Sequence, residues 1–471
     1  MKHPDLPRQK STAAATAADL LDRLPLARAA LALFRYALDD SALASIFQRH
    51  RGRSYEDVVR FPALVCWLFD ALADFGSGRQ AHLARDHVAA PGCDTAFYGK
   101  LRRLPISLSV GFLQEVTARL GELFPAALAG TLPASLRPHE VLLIDGKALK
   151  KVAKRLAVTR GTPGRLLGGK LLVAYRPRDG QVIDMAVAAD GEANEASLVG
   201  ELAGRLRERP GKNTLFVADR QFSSLKVFRQ LAGGSSDFIV RHAKTLSFTP
   251  DPTRPAKTSR GKDGRTITRE WGWVSKKPEE RMAVRRVSVT RVGEEPLAVL
   301  TDLTDEGAVS GEDVLAAYRI RWDIEATFSQ VTTIFGLSRF VGSTAQATVF
   351  QAAMCFVLSN LQTVLMGLVA QERGCGLDDL SAWQIRQGWH RELIALKELT
   401  TPGELSEAIK MPRTAEQLSE DLRGWLEQAW HPAWEKTRNK KPRAHPVRAE
   451  GNGAHTSVVR RQQAARRDPS P

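Results

Sequence analysis

Three carboxylates stand where buried elements would deliver them to a common edge. Asp145 closes the apolar run V-L-L-I-D over Val141–Asp145, and Asp219 closes T-L-F-V-A-D over Thr214–Asp219. A short apolar run ending in an acid is the pattern of a strand buried on both faces whose last residue emerges into a cleft. Glu325 lies in A-Y-R-I-R-W-D-I-E-A-T-F-S-Q-V-T, Ala317–Thr332, which the spacing predicts to be one helix. Ser310 with Asp313 makes a capping-box-like start, and Gly336 supplies a C′ stop. At about 100° per residue, Tyr318, Arg321, Glu325 and Thr332 fall within roughly 60° of one another, a polar ledge beside the apolar stripe Ile324, Phe328, Val331 and Phe335.

Three carboxylates on one sheet edge repel unless cations sit between them. Oxygen ligands of this kind suit Mg²⁺ or Mn²⁺, and two such ions clamp the attacking and leaving oxygens of an in-line phosphoryl displacement. Arg321 and Tyr318 would then meet the phosphate with a charged and a neutral hydrogen bond. Each acid also has a plain structural role open to it. Asp145-Gly146 is a standard turn dipeptide, Asp219 can cap a following helix, and Glu325 can pair with Arg321 four residues earlier.

The elements that must position these residues read as a mixed α/β sheet, not a doubly wound one. After Val141–Asp145 come strands at Lys170–Tyr175 and Val182–Ala188 across a turn at Asp179-Gly180. A helix over Glu195–Arg207, the strand at Thr214–Asp219, a helix over Ser224–Leu231 and a strand at Asp237–Arg241 follow. Alternating segments at Thr266–Val274, Met282–Thr290 and Leu297–Thr301 predict an antiparallel insertion before the Glu325 helix. Residues 1–135 read as all helical, with breaks that include Gly76, Pro91 and Pro105, and helices resume over 343–435. The boundaries expected are 1–135, 136–243 and 305–342 as a divided core, 244–304 as the insertion, 343–435, and a basic tail over 436–471.

The chain has 471 residues, 43% hydrophobic and 25% charged, with a net charge of +16 that points to a polyanionic partner. The tail carries ten Lys/Arg against Glu450 and Asp468, about half of that excess, and reads as disordered. Asp94–Leu104 (D-T-A-F-Y-G-K-L-R-R-L) is a short basic helix whose Lys100, Arg102 and Arg103 suit either a DNA groove or a solvated surface. Cys66, Cys93, Cys355 and Cys375 have no metal-ligand spacing, which fits a reducing compartment. The opening residues show no apolar signal segment. Val349–Ala370, interrupted by Gln351, Ser359, Asn360 and Gln362, reads as a buried helix, so a cytoplasmic protein is expected.

The block Tyr318-Arg319-x-Arg321-Trp322-x-Ile324-Glu325 resembles the Y-x2-R-x3-E-x6-K signature of DDE transposases of the insertion-sequence-four group. Ile144-Asp145-Gly146 resembles that group's first acid motif, and Asp219-Arg220-Gln221-Phe222 its second, D-R-G-F. The resemblance covers about Val141–Phe340. It implies an RNase H-like domain with a β-rich insertion and Asp145, Asp219 and Glu325 as the catalytic, metal-holding acids for two Mg²⁺ or Mn²⁺ ions. Tyr318, Arg321, Arg220, Lys147 and Arg339 become candidate phosphate contacts. Trp271 and Trp273, one residue apart on one strand face, become candidates for stacking a flipped base. The implied partners are double-stranded DNA, as element ends and target, and a second protomer in a paired-end complex. Such a protein would be nucleoid-associated and bacterial.

Two positions depart from the signature. Its Lys falls on Thr332, so a phosphate contact is either missing or supplied by another residue such as Arg339, and Gln221 replaces the usual Gly. A catalytically silent DNA-binding descendant and a structure-specific nuclease on the same fold are the alternatives. The intact acids weigh against the first, and the long Asp219–Glu325 separation weighs against the second.

Overall fold

The structure is a computed structural model, and it describes residues 16–467 apart from 57, 73–76, 84–92, 129, 131, 210, 212, 262–263, 276, 292–294, 338, 410–413, 428 and 437–454. The breaks expected at Gly76 and Pro91 lie outside the described residues. The N-terminal part is helical as expected: α1 Ala17–Arg23, α2 Pro25–Ala37, α3 Asp40–His50, α4 Phe61–Asp70, α5 Gly78–Leu83, α6 Asp94–Arg103 and α7 Ile106–Gly121. The sheet begins with β1 His139–Lys150, β2 Arg165–Arg176 and β3 Gln181–Ala188. It continues through α8 Val199–Arg207, β4 Asn213–Ala218, α9 Leu225–Leu231 and β5 Ser236–Arg241. β1, β2 and β3 are antiparallel neighbours, whereas β1, β4 and β5 run parallel, giving the order β3-β2-β1-β4-β5. This mixed topology is that of an RNase H-like sheet.

The apolar runs are continuous because the sheet is covered on both faces. Along β1, Val141 and Leu143 face one core while Leu142 and Ile144 face the other; β4 repeats this with Leu215 and Val217 against Phe216 and Ala218. α8 and α9 cover the second face through Val199, Leu202, Val227 and Phe228. The first face belongs to the helical layer that includes α10 Gly311–Arg319, α11 Trp322–Thr333 and α12 Ala345–Arg373.

The insertion supplies β6 Phe248–Pro250, β7 Lys257–Arg260, β8 Thr266–Val274, β9 Met282–Thr290 and β10 Leu297–Thr301. It is not a separate sheet. β10 pairs antiparallel with β5 and β9 with β10, so the same sheet extends directly into the insertion.

α12 is long and apolar enough to cross a membrane, yet 89% of its most apolar window is buried in the fold. Its polar residues clasp the sheet. Asn360 Oδ1 accepts from Val182 N at 2.9 Å, and Thr348 Oγ1 donates to the Gly168 carbonyl at 2.7 Å, where Gly168 has no Cβ to obstruct it. α13 Ala382–Leu399, α14 Pro402–Ala408 and α15 Ala415–Leu426 complete this layer.

Three expectations are corrected. β1 does not end at Asp145; it continues to Lys150, so Asp145 is a mid-strand residue and Asp145-Gly146 is no turn. The stretch Ala317–Thr332 is two helices. Hydrogen bonds of the i→i+3 kind, Arg321 N to Tyr318 O and Asp323 N to Ile320 O, tighten the chain between α10 and α11. Tyr318 and Arg321 turn inward there and are 4% and 3% exposed, so the continuous ledge does not form.

The tail is also partly ordered. β11 His455–Ser457 pairs parallel with Arg165–Leu167 of β2, on the flank that β3 leaves beyond Lys170, and α16 Val458–Arg467 follows. Val458 and Ser457 are buried, and Arg460 pairs with Asp190 and Glu192. Apolar and ionic docking of residues 455–460 overrides the composition that suggested disorder; 437–454 lie outside the described residues.

Candidate active site

Parallel pairing sets Ile144 of β1 opposite Ala218 of β4, so the next residues, Asp145 and Asp219, are neighbours. Strand alternation sends both toward the face shared with Leu143 and Val217, the face on which α10 and α11 pack. β4 stops at Ala218 while β1 continues, which opens a notch beside Asp145. Phe222, buried in the second core, anchors the tight turn Arg220–Phe222 that follows Asp219.

Ser310 caps α10 by accepting from Asp313 N, and Gly336, at φ 69°, closes α11 through Leu337 N to Val331 O. Between these stops Tyr318 OH donates to Asp219 Oδ1 at 3.2 Å, and Arg321 Nη1 donates to Glu325 Oε1 at 2.6 Å. Burial, then the charge of Asp219, pushes the Tyr318 phenol up to about 12. Burial alone would lower Arg321, but its bond to Glu325 and the charges of Tyr318 and Asp219 raise it. Arg321 Nε is buried with no hydrogen-bond partner among the described residues.

Asp145 Oδ1 accepts from Gly146 N at 2.8 Å and from Gln221 Nε2 at 3.3 Å. Its carboxyl is pushed up to about 6, chiefly by burial, with Glu195 and Asp219 adding repulsion and Arg321 opposing it. The charge of Arg321 thus reaches Asp145, Asp219 and Glu325 together. As placed, this guanidinium offsets part of the trio's negative charge, and no three His, Cys, Asp or Glu among the described residues form a ready metal cage. The donor set nevertheless fits a hard divalent ion: carboxylate oxygens, one with a pKa raised by burial and, to a lesser degree, by neighbouring carboxylates, near a cation that an incoming ion would replace.

Glu195 is the residue that the spacing did not reveal. It lies in the short turn Glu195–Leu198 before α8, accepts from Gln221 Nε2 at 2.7 Å and sits 3.5 Å from Lys170 Nζ. Nothing but its place at the start of an expected helix marked it. A trench of about 640 Å³ opens from Gly146 and Glu195, walled by Lys147, Lys150, Lys151, Arg165, Lys170 and Thr332, with His455 of β11 at its rim. Lys151 holds φ 68°, a strained backbone on that wall. Lys147 lies over the Phe328 ring at 5.1 Å, and burial followed by the charge of Lys150 lowers its pKa.

The remaining candidates divide. Arg220 and Arg339 are exposed, and Arg339 is not on the trench wall. Thr332 is on that wall, its hydroxyl bonded back to the Phe328 carbonyl. Trp271 is buried, donates from Nε1 to Thr304 O and is flanked by Arg254 and Lys257, so it is packed rather than free to stack. Trp273 is half-buried beneath Arg281. Lys100 is corrected as well: it is 4% exposed, donates to the Tyr55 carbonyl and lies over the Phe47 ring, because α6 buries that face. Arg102 and Arg103 remain exposed.

Residues 136–361 match the family model described as the transposase DDE domain. That span is similar to a transposase DDE domain. The matched span begins just before β1 and ends within α12, and it contains Asp145, Asp219 and Glu325. Among solved structures the chain is similar to piggyBac transposase in its synaptic complex with hairpin DNA. The identity is 10% and the TM-score 0.41, over 84% of this chain and 85% of that one, a likeness too loose for residue-level correspondence. No curated protein matches the chain.

Proposed function

We propose that this chain is a transposase that binds the terminal inverted repeats of its own element, cleaves a strand at each end and joins the freed 3′ end to target DNA by a cut-and-paste route, as members of the insertion-sequence-four group do. One observation carries this reading. Asp145 and Asp219 stand side by side on one sheet face, with the Arg321–Glu325 pair packed over them, inside the span similar to a DDE domain.

Asp145, Asp219 and Glu325 would hold Mg²⁺ or Mn²⁺, two ions in the working site. Bound there, these ions would supply charge neutralisation at the reacting phosphate and acidify the attacking water or hydroxyl. The chain's own groups do the rest. Arg321 holds Glu325 through Nη1 and brings positive charge to the three acids. Tyr318, kept neutral by its raised pKa, orients Asp219 through its hydroxyl. Lys147, Lys150, Lys151, Arg165 and Lys170 line the trench and would hold a phosphate backbone as it leaves the acids. Thr332 stands on that wall where the signature has Lys, so the trench lysines take over its phosphate contact.

A paired-end complex needs two protomers, and a homodimer is the proposed working form. The test is end cleavage and joining with a labelled duplex that carries the DNA bordering the coding sequence. Divalent-dependent nicking with strand-transfer products supports the reading. Divalent-dependent nicking without joining products would make the protein a nuclease, and binding without nicking a silent descendant.

A further inference from the structure

Gly146 follows Asp145 in β1 and faces the opposite side of the sheet, toward α8. A Cβ on Gly146 would fall 1.8 Å from Glu195 Oε2 and 2.0 Å from its Cδ. The backbone of Gly146 is not in the left-handed region, so what the position requires is space. The Glu195 carboxylate fills that space and rests against β1 from the face opposite Asp145.

Gln221 joins the two acids. Its Nε2 lies 2.7 Å from Glu195 Oε2 and 3.3 Å from Asp145 Oδ1, and one amide nitrogen has two hydrogens to give. The notch left where β4 stops at Ala218 lets the amide reach both. Glu195 is fixed from behind: Asn194 Oδ1 accepts from Ala196 N, Leu198 is buried in the second core, and Lys170 flanks Oε1. At Asp145, Oδ1 accepts from both Gly146 N and Gln221 Nε2, while Oδ2 accepts no hydrogen bond from the described residues.

We propose that Gln221, held by Glu195 in the space that Gly146 leaves, is a positioning residue for Asp145. The amide fixes the carboxylate rotamer by engaging Oδ1, so that Oδ2 is presented to the reacting centre. It also separates two carboxylates that would otherwise face each other, each held by a charge-assisted hydrogen bond. Glu195 acts on Asp145 through Gln221. This inference rests on Asp145 being a catalytic acid, as proposed above.

The experiment uses full-length protein and the labelled end duplex, measuring single-turnover cleavage at saturating Mg²⁺ and, separately, DNA affinity. Gln221→Ala removes an exposed side chain and leaves the core intact. It is expected to slow cleavage about tenfold with Kd unchanged, the signature of misaligned chemistry rather than lost binding. Glu195→Ala should do the same. Glu195→Gln keeps an oxygen that accepts from Gln221 and should restore the rate to within about threefold of wild type, by the same alignment argument. Gly146→Ala should match Glu195→Ala, because its methyl evicts the carboxylate. Wild-type cleavage by Gln221→Ala would overturn the proposal, as would Glu195→Gln being as slow as Glu195→Ala. Wild-type cleavage by Asp145→Asn would instead remove the functional reading beneath it.

Discussion

Arg321 donates from Nη1 to Glu325 Oε1 at 2.6 Å, from a guanidinium almost wholly withdrawn from water. One cation thus holds the glutamate and tempers Asp145 and Asp219. Arg321→Ala should lower the cleavage rate by about 100-fold and Tyr318→Phe by about tenfold or less, since a charged hydrogen bond to Glu325 is lost in one and a neutral donor to Asp219 in the other. Single-turnover rates check the order. Without Arg321 the acids also repel unscreened, so Mg²⁺ should raise the Tm of Arg321→Ala more than that of wild type. Equal shifts would mean that Arg321 does not stand in for the ion.

Asp145 gives a pH signature. Its carboxyl titrates near 6 in the fold against an ordinary 3.8, with burial as the main cause. The fold therefore resists a charge that the unfolded chain accepts. The cost is absent below about pH 4, grows between 4 and 6, and is full above 6. Metal-free Asp145→Asn should be more stable than wild type at pH 8, by about 1–2 kcal/mol, and equal to it near pH 4. Denaturant titrations at the two pH values measure this, and equal stability at pH 8 would contradict the burial account.

Much of this was legible in the sequence. The apolar runs ending in Asp145 and Asp219 marked strands covered on both faces, because only such strands forgo alternation. Ser310 and Gly336 marked the helix ends, because caps are local chemistry. The break between α10 and α11 was not legible: Arg321 and Glu325 fit one helical face, and the tertiary pull of buried Tyr318 and Arg321 decides the bend. Glu195 was hidden for a related reason, since it meets Asp145 only through a missing side chain at Gly146 and an amide at Gln221. The tail misled by composition, as one valine, one serine and one arginine suffice to dock it.

That docking is testable. Ser457 N donates to Glu192 Oε1 at 2.7 Å, Gly191 N donates to Ser457 Oγ at 3.2 Å, and Val458 is fully buried. Val458→Asp should detach β11 and α16 and cost about 2–3 kcal/mol. Amide exchange at Gly191 should accelerate together with that of Arg165–Leu167. Unchanged exchange at these residues would show that the tail does not hold the sheet edge.

The trench predicts salt dependence. Removing Lys150, Lys151 or Arg165 singly should weaken DNA binding alike for all sequences and reduce the slope of log K against log salt by about 1 each. Thr332→Lys should steepen the slope by a similar amount. A slope indifferent to these residues would place the DNA on another surface.

The most direct test of the central claim is divalent-dependent strand transfer with the bordering DNA as the donor end, comparing wild type with Asp145→Asn, Asp219→Asn and Glu325→Gln. The expected result is joined product with wild type in Mg²⁺ or Mn²⁺, and no cleavage or joining by any of the three variants, all of which still bind the end. Joining by any one of them at the wild-type rate would contradict the account.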